Sequence, residues 1–183
     1  MIFLLLSFGI ALLDQLSKGY IASHFHLGQS IPILGSFFKI TYILNPGGVF
    51  GTNFGSGNFY AFLSIAAIIV ILLVYLKARD QKASFKIALS LILGGAMGNL
   101  IDRFRFGEVI DFLDFDFFNL NLPPFKFLSL KFKGFYLDRW PVFNLADSAV
   151  TIGLIILAYY FFFKTNKKVM ADADQELGDK KLA

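Results

Sequence analysis

Apolar residues are concentrated in four long blocks that are separated by more polar segments. The blocks cover residues 2–23, 59–76, 84–102 and 142–163. Each is close to the ~20 residues that an α-helix needs to cross a hydrocarbon layer of ~30 Å. The pattern therefore predicts an all-α membrane protein with four transmembrane helices, organised as a single domain over residues 1–168.

The two long segments between blocks, residues 24–58 and 104–141, contain strand-like patterns. The run from Phe38 to Leu44 is rich in β-branched and aromatic residues and ends at a Pro/Gly break, which predicts a strand. The stretches FDFFNLNL and FKFLSLKFK alternate roughly between apolar and polar residues on either side of Pro123-Pro124, which predicts a hairpin. We therefore expect a small extracytoplasmic sheet and hairpin region on the four helices.

Basic residues predict the orientation of the helices. They are frequent in the linker 77–86 and just after the fourth block, whereas residues 24–58 contain only Lys39. Positive charge marks cytoplasmic segments, so both termini should be inside and the two long segments outside. The second long segment departs from this rule, since it has five bases as well as five acids. The net charge of +4 is therefore explained by the membrane topology and by attraction to anionic lipid headgroups, and it does not indicate nucleic-acid binding.

The two ends of the chain allow further expectations. The first block could be a cleaved signal peptide, but it lacks a basic start and a following A-x-A-like site. We therefore interpret it as a retained helix. Residues 169–183 are small, polar and charged, and predict a disordered cytoplasmic tail.

Five polar clusters interrupt the apolar pattern, all in the outer half of a predicted helix or in an outer segment. They are DQLSK (14–18), NPGGVFG (45–51), GGAMGNLIDR (94–103), EVIDFLDF (108–115) and FNLADSAVTIG (143–153). Polar groups in membrane segments are costly and usually face the protein interior. Their shared depth therefore indicates a common site.

The first three clusters also have structural interpretations. Asp14 and Lys18 are four residues apart, so they could form a local ion pair at a helix end with Lys18 reaching to the interface. The glycines of NPGGVFG could simply form a turn. Those at 94, 95 and 98 should allow close helix packing.

The polar residues near the predicted helix ends also have structural interpretations. Asp102 and Arg103 could pair with each other, although Arg103 could also hold a substrate carbonyl or phosphate. Asn144 could cap the fourth helix, and the helix dipole could account for Asp147 in its first turn.

Aspartate is the residue type left to carry chemistry. The chain has no Cys, and His24 and His26 provide too few ligands for zinc, so we predict neither a metal nor a cofactor. Two aspartates can share a proton: one takes a proton from water while the other donates to the scissile carbonyl. Asp111, in an outer loop, and Asp147, at a helix head, are the best pair, while Asp114 and Asp116 offer nearby alternatives.

The five clusters, in this order and spacing, resemble the lipoprotein signal peptidases (signal peptidase II), over residues 14–153. The resemblance implies an aspartic peptidase of the bacterial inner membrane. Such enzymes cut the signal peptide from prolipoproteins just before a cysteine that carries diacylglyceryl. The expected partners are lipid-modified prolipoproteins and membrane lipids, with the protein acting as a monomer.

The resemblance also assigns roles by motif position. The catalytic pair would be Asp111 and Asp147, and Asp102 would be structural. The supporting residues would be Asp14, Lys18, Asn45, Asn99, Arg103 and Asn144. Of these, Asp14 and Lys18 would stabilise the site and the others would hold the substrate backbone.

Two features depart from the family pattern. Gly48-Val49 stands where two alanines are more usual, and the segment 115–139 is longer than usual. This Phe- and Lys-rich insertion lies between the two catalytic candidates, where it could form a lid or a lipid-facing platform.

Two other classes of function remain open. A small proton-coupled transporter or channel subunit would also use intramembrane carboxylates, but the inner halves of the helices are almost free of ionisable groups. A non-enzymatic assembly factor would explain the possible ion pairs but not Asp111 and Asp147, which have no obvious base nearby in the sequence.

Overall fold

The computed structural model describes residues 2–47, 57–78, 80–116, 120–127, 130–132, 135–137 and 139–182. Its main elements are α1 (Ile2–His24), β1 (Ser30–Leu34), β2 (Phe38–Asn45), α2 (Gly57–Lys77), α3 (Ala83–Phe106), β3 (Val109–Phe115) and α4 (Leu145–Leu182). Within these residues, four helices are long and apolar enough to cross a membrane, the last over Leu145–Phe163. The predicted class, a four-helix membrane protein with a small sheet, is confirmed.

Helix α3 lies at the centre of the bundle, in contact with α1, α2 and α4. Its glycines permit this close approach, as predicted. A Cβ atom on Gly94 would lie only 2.6 Å from the carbonyl oxygen of Ser7 in α1. A Cβ on Gly95 would collide with the carbonyl oxygen of Ala146 in α4. The small face of α3 therefore lets both the interior of α1 and the start of α4 approach it closely.

A three-stranded antiparallel sheet, in the order β1-β2-β3, packs at one end of the bundle. The strand predicted at Phe38–Leu44 is β2, and Asp111 lies opposite Ile43 in the neighbouring strand β3. Asp111 is thus in a strand and not in a loop. Ile110 and Phe112 on either side of it are buried in a cluster with Ile21 of α1, which explains why this segment is extended and covered.

The described part of the long insertion forms antiparallel strand pairs, but not with Pro123-Pro124 between the arms. Strand β4 (Leu120–Leu122) pairs with β7 (Phe135–Leu137), and β5 (Phe125–Phe127) pairs with β6 (Leu130–Phe132). Both pairs share one register, so they form a single hairpin. Pro123-Pro124 lies within one arm rather than between the arms, at a break in the ladder, because proline has no N–H to donate.

Two helices run further than predicted. Helix α3 ends at Gly107, whose φ of 76° suits a left-handed C-cap and whose N–H bonds to the carbonyl oxygen of Arg103. Helix α4 continues to Leu182, where a disordered tail was predicted for 169–183. Residues 48–51 of NPGGVFG lie outside the described residues.

Candidate active site

Asp111 of β3 and Asp147 of α4 line the same cavity of about 930 Å³. The residue between them is Asn144, just before α4. Its side-chain amide donates to Asp111 Oδ1 over 2.7 Å, and its backbone N–H donates to Asp147 Oδ2 over 3.3 Å. The fold therefore brings together the two aspartates that the sequence singled out.

Asn144 and Asp147 form a capping box at the start of α4. The backbone N–H of Asp147 donates to Asn144 Oδ1 over 2.9 Å, while Asp147 accepts from the backbone N–H of Asn144. Asp14 accepts from the next free N–H, that of Ala146, over 2.9 Å. Asn144 is thus a helix cap and a neighbour of both aspartates at once, so its two predicted interpretations are compatible.

Amide side chains orient both carboxylates. Asn45 donates to Asp111 Oδ2 over 2.9 Å, and Asn99 donates to Asp147 Oδ1 over 2.8 Å. With the two bonds from Asn144, each oxygen of each carboxylate accepts one hydrogen bond from an uncharged donor. Such donors fix the carboxylates in place without neutralising their charge.

Lys18 is buried, with 1% of its surface exposed, and does not reach the interface. Its ammonium lies 2.8 Å from Asp14 Oδ2 and 2.8 Å from Asp102 Oδ2. It also donates to Asn99 Oδ1 over 2.8 Å, which uses the third of its donors. Because Lys18 holds the oxygen of Asn99, the amide nitrogen of Asn99 faces Asp147.

Asp102 pairs with Lys18, so its predicted pairing with Arg103 is wrong. Consecutive residues of a helix point in different directions and do not face each other. Asp102 also accepts from the side chain of Gln15 over 2.8 Å and from the backbone N–H of Ile110 over 3.1 Å. Gln15 was not predicted, although its polar character within an apolar block was a usable signal.

Arg103 lines the cavity beside the aspartates. Its guanidinium donates to Ser64 Oγ over 3.3 Å and to the carbonyl oxygen of Gly47 over 3.5 Å. It also lies 5.8 Å from the ring centre of Tyr60. These are long contacts, so Arg103 is held near the cavity without a close carboxylate partner among the described contacts.

The rest of the cavity is mostly apolar, although Ser64, Ser148 and Thr151 also line it. Its floor is one stripe of α3, formed by Ile92, Ala96, Asn99 and Arg103, and α2 and α4 form its walls. Seven residues separate Ile92 from Asn99, which is roughly 10 Å along a helix. The polar groups thus lie at the end near the sheet, and an apolar groove runs from them into the bundle.

The surroundings of Asp111 favour its neutral form. Burial raises the pKa of Asp111 to about 7, and the charge of Asp147 adds to this, while hydrogen bonds from Asn45 and Asn144 oppose it. A carboxyl of this kind can hold a proton at neutral pH. In the part of the chain that the structure describes, no three His, Asp or Glu side chains are grouped as metal ligands.

Comparison with known proteins identifies the family. The family described as signal peptidase (SPase) II matches residues 6–163. The lipoprotein signal peptidase of Syntrophus aciditrophicus is 40% identical over 174 residues, which cover 91% of this chain and 96% of the relative. That of Moorella thermoacetica is 40% identical over 157 residues, 86% of this chain and 90% of the relative.

A solved structure agrees with these relatives. A bacterial membrane enzyme determined by the in meso method is 30% identical, with a TM-score of 0.73 over 91% of this chain and 90% of that one. The family match and the identity to these relatives show that the chain belongs to the signal peptidase II family, as the resemblance predicted.

Proposed function

We propose that the protein is an aspartic endopeptidase that removes the signal peptide from prolipoproteins whose cysteine carries diacylglyceryl. Cleavage would fall on the N-terminal side of that cysteine. The observation that carries the proposal is the pairing of Asp111 and Asp147 at the polar end of an otherwise mostly apolar cavity. The relatives, which are lipoprotein signal peptidases, support the substrate class.

The proposed reaction uses one proton shared by the two carboxyls. Asp147, as carboxylate, takes a proton from a water molecule, and the resulting hydroxide attacks the scissile carbonyl carbon. Asp111 holds a proton at neutral pH because its pKa is raised to about 7, and it donates this proton to the carbonyl oxygen. When the intermediate collapses, the proton on Asp147 passes to the leaving amine and that on the intermediate returns to Asp111.

The supporting residues divide into two groups in this proposal. The carboxylates of the two aspartates are held by Asn45, Asn99 and Asn144. From the sequence, these three residues were expected to hold the substrate backbone instead. Arg103 has the freedom to hold a substrate carbonyl. Asp14 and Lys18 act indirectly, because Lys18 fixes Asn99 and Asp14 fixes the start of α4.

The cavity suits a lipidated substrate. Its apolar groove can take an acyl chain or the apolar signal segment, while the polar end receives the scissile peptide bond. We place the protein in the bacterial cytoplasmic membrane as a monomer surrounded by lipid, with both termini inside and the aspartates near the outer face. The basic residues at 77–86 support this orientation.

Replacing the two carboxyls tests the proposal in cells. We expect Asp111→Asn and Asp147→Asn each to abolish prolipoprotein processing, because an amide can neither accept the proton from water nor supply one as an acid. Processing is measured by the mobility of a labelled lipoprotein, and membrane insertion by the amount of folded protein extracted. Asp80→Asn, at an exposed residue between α2 and α3, is the matched control. Normal processing by either dyad variant would contradict the mechanism.

A further inference from the structure

The segment Trp140–Phe143 forms part of the cavity wall, and Arg139 immediately precedes it. All four residues of this strap line the cavity together with Asp111 and Asp147. The strap connects the long hairpin to Asn144, the cap of α4. Any displacement of the strap would therefore change the shape of the cavity close to the aspartates.

The strap is fixed at its far end by the sheet. The backbone N–H groups of Phe112 and Leu113 donate to the carbonyl oxygen of Phe143 over 3.0 and 2.7 Å, and the N–H of Phe143 donates to Leu113 over 3.0 Å. Phe143 thus acts as a short extension of the sheet beside β3. Trp140–Val142 do not belong to a strand, and the residue that precedes them, Arg139, also contacts the sheet.

Arg139 holds the near end through three contacts with two segments, the end of β3 and the connection between β1 and β2. Its Nε lies 3.0 Å from Asp114 Oδ1 in β3, and its Nη1 lies 3.6 Å from Asp116 Oδ2. Its Nη2 donates over 3.3 Å to the carbonyl oxygen of Ser36, between β1 and β2. Only a guanidinium offers donors in this spread arrangement.

Asp114 is itself fixed, which makes it a firm anchor. Its side chain is 9% exposed, and its second oxygen accepts from Thr41 Oγ1 over 2.6 Å. Thr41 belongs to the central strand β2. The contact between Arg139 and Asp114 therefore ties the strap to the middle of the sheet rather than to a mobile surface group.

We propose that Arg139 is a positioning residue that sets the shape of the substrate cavity by clamping the strap Trp140–Phe143 to Asp114. The inference rests on the proposed function, because the ligand of the cavity is the lipidated substrate. In the described contacts, Arg139 touches neither Asp111 nor Asp147. Its loss should consequently weaken substrate binding and leave the chemical step nearly unchanged.

Steady-state kinetics on a lipidated prolipoprotein peptide test the proposal. We expect Arg139→Gln to raise KM roughly three- to tenfold while kcat changes less than about twofold. Arg139→Lys should not restore KM, since an ammonium cannot reach the three acceptors together. Asp114→Asn should give a similar rise, and the double variant should be no worse than the single ones. Lys126→Gln, which removes an exposed charge from the same hairpin, should behave as wild type.

Trp140 provides a second measurement that does not depend on catalysis. It is the only tryptophan of the chain, so its fluorescence reports on the strap alone. We expect Arg139→Gln and Asp114→Asn to shift the emission wavelength of Trp140 and to increase its quenching by a soluble quencher. Lys126→Gln should change neither quantity. Thermal unfolding confirms that each variant is folded.

Three results would overturn the proposal: an unchanged KM, a fall in kcat at constant KM, or unchanged Trp140 fluorescence in the folded variants. A failure of the proposed function would look different. In that case the wild-type protein itself would not cleave the peptide, while the fluorescence of Trp140 would still respond to the loss of Arg139.

Discussion

Asp111 is a carboxyl whose surroundings disfavour its charge. It is 1% exposed, and the hydrogen bonds described for it come from the uncharged side chains of Asn45 and Asn144. Burial and the nearby charge of Asp147 raise its pKa to about 7. The proton on this group is therefore lost as the pH rises through about 7.

This pKa predicts the pH dependence of cleavage. In the proposed mechanism Asp111 must be protonated. The value of kcat/KM should therefore fall as the pH rises through about 7, because deprotonated Asp111 cannot donate a proton to the carbonyl oxygen. On the acid side the rate should fall when Asp147 also becomes protonated. Initial rates between pH 4 and 9 test this. A rate that keeps rising to pH 9 would contradict the assignment of Asp111 as the acid.

At the residue scale, the sequence reveals the site because charge is costly in an apolar block. Asp14, Lys18 and Asp147 were found in this way, whereas Asp111 was found in an outer segment. The local ion pair of Asp14 and Lys18 was also predicted, but the distant partners were not, since such pairing depends on which helices meet. Lys18 pairs with Asp102, 84 residues away, rather than only with its neighbour Asp14. No local pattern in the sequence specifies such a contact.

At the scale of elements, the packing of α1 against α3 controls the site. Gly98 of α3 faces Asp14, and a Cβ atom there would collide with Oδ2 and lie 3.0 Å from Cγ of that carboxylate. The same carboxylate binds Lys18 and caps α4 at Ala146. Because Gly98 has no side chain, Asp14 has room to hold the start of α4, and with it Asp147, in place.

Gly98→Ala should therefore destabilise the protein and lower its activity. In an unobstructed helix, the same replacement would stabilise by about 0.5–1 kcal/mol. Here the methyl group displaces Asp14 from Lys18 and from the start of α4. Gly9→Ala is the control, because nothing lies within 4 Å of a Cβ atom at Gly9 of α1. Thermal unfolding in detergent and cleavage assays measure both effects, and equal behaviour of the two variants would contradict this account.

The apolar pattern predicts the elements well where one interaction dominates. Burial in lipid defines the four helices, and β-branched residues define β2. The pattern fails for β3 because Val109–Phe115 is covered by α1 and the sheet, which only the folded chain brings together. It also separates the arms of the hairpin at Pro123-Pro124, although β4, before these prolines, pairs with β7, and β5, after them, pairs with β6.

At the scale of the whole molecule, the proposed orientation places the sheet and the aspartates outside. The chain has no Cys, so single cysteines can be introduced without removing others. We expect Ser36→Cys, between β1 and β2, to react with a membrane-impermeant maleimide in intact cells. Asp80→Cys, between α2 and α3, should react only after the membrane is opened. The reverse labelling pattern would contradict the orientation.

In the proposed function, this chain hydrolyses a lipidated prolipoprotein with Asp111 and Asp147. The most direct measurement is mass spectrometry of the products formed by purified protein from a peptide with a diacylglyceryl cysteine. We predict one new amino terminus at that cysteine with the wild-type protein, and none with Asp111→Asn or Asp147→Asn. Cleavage at the same bond by either folded variant, or no product with the wild-type protein, would contradict the account.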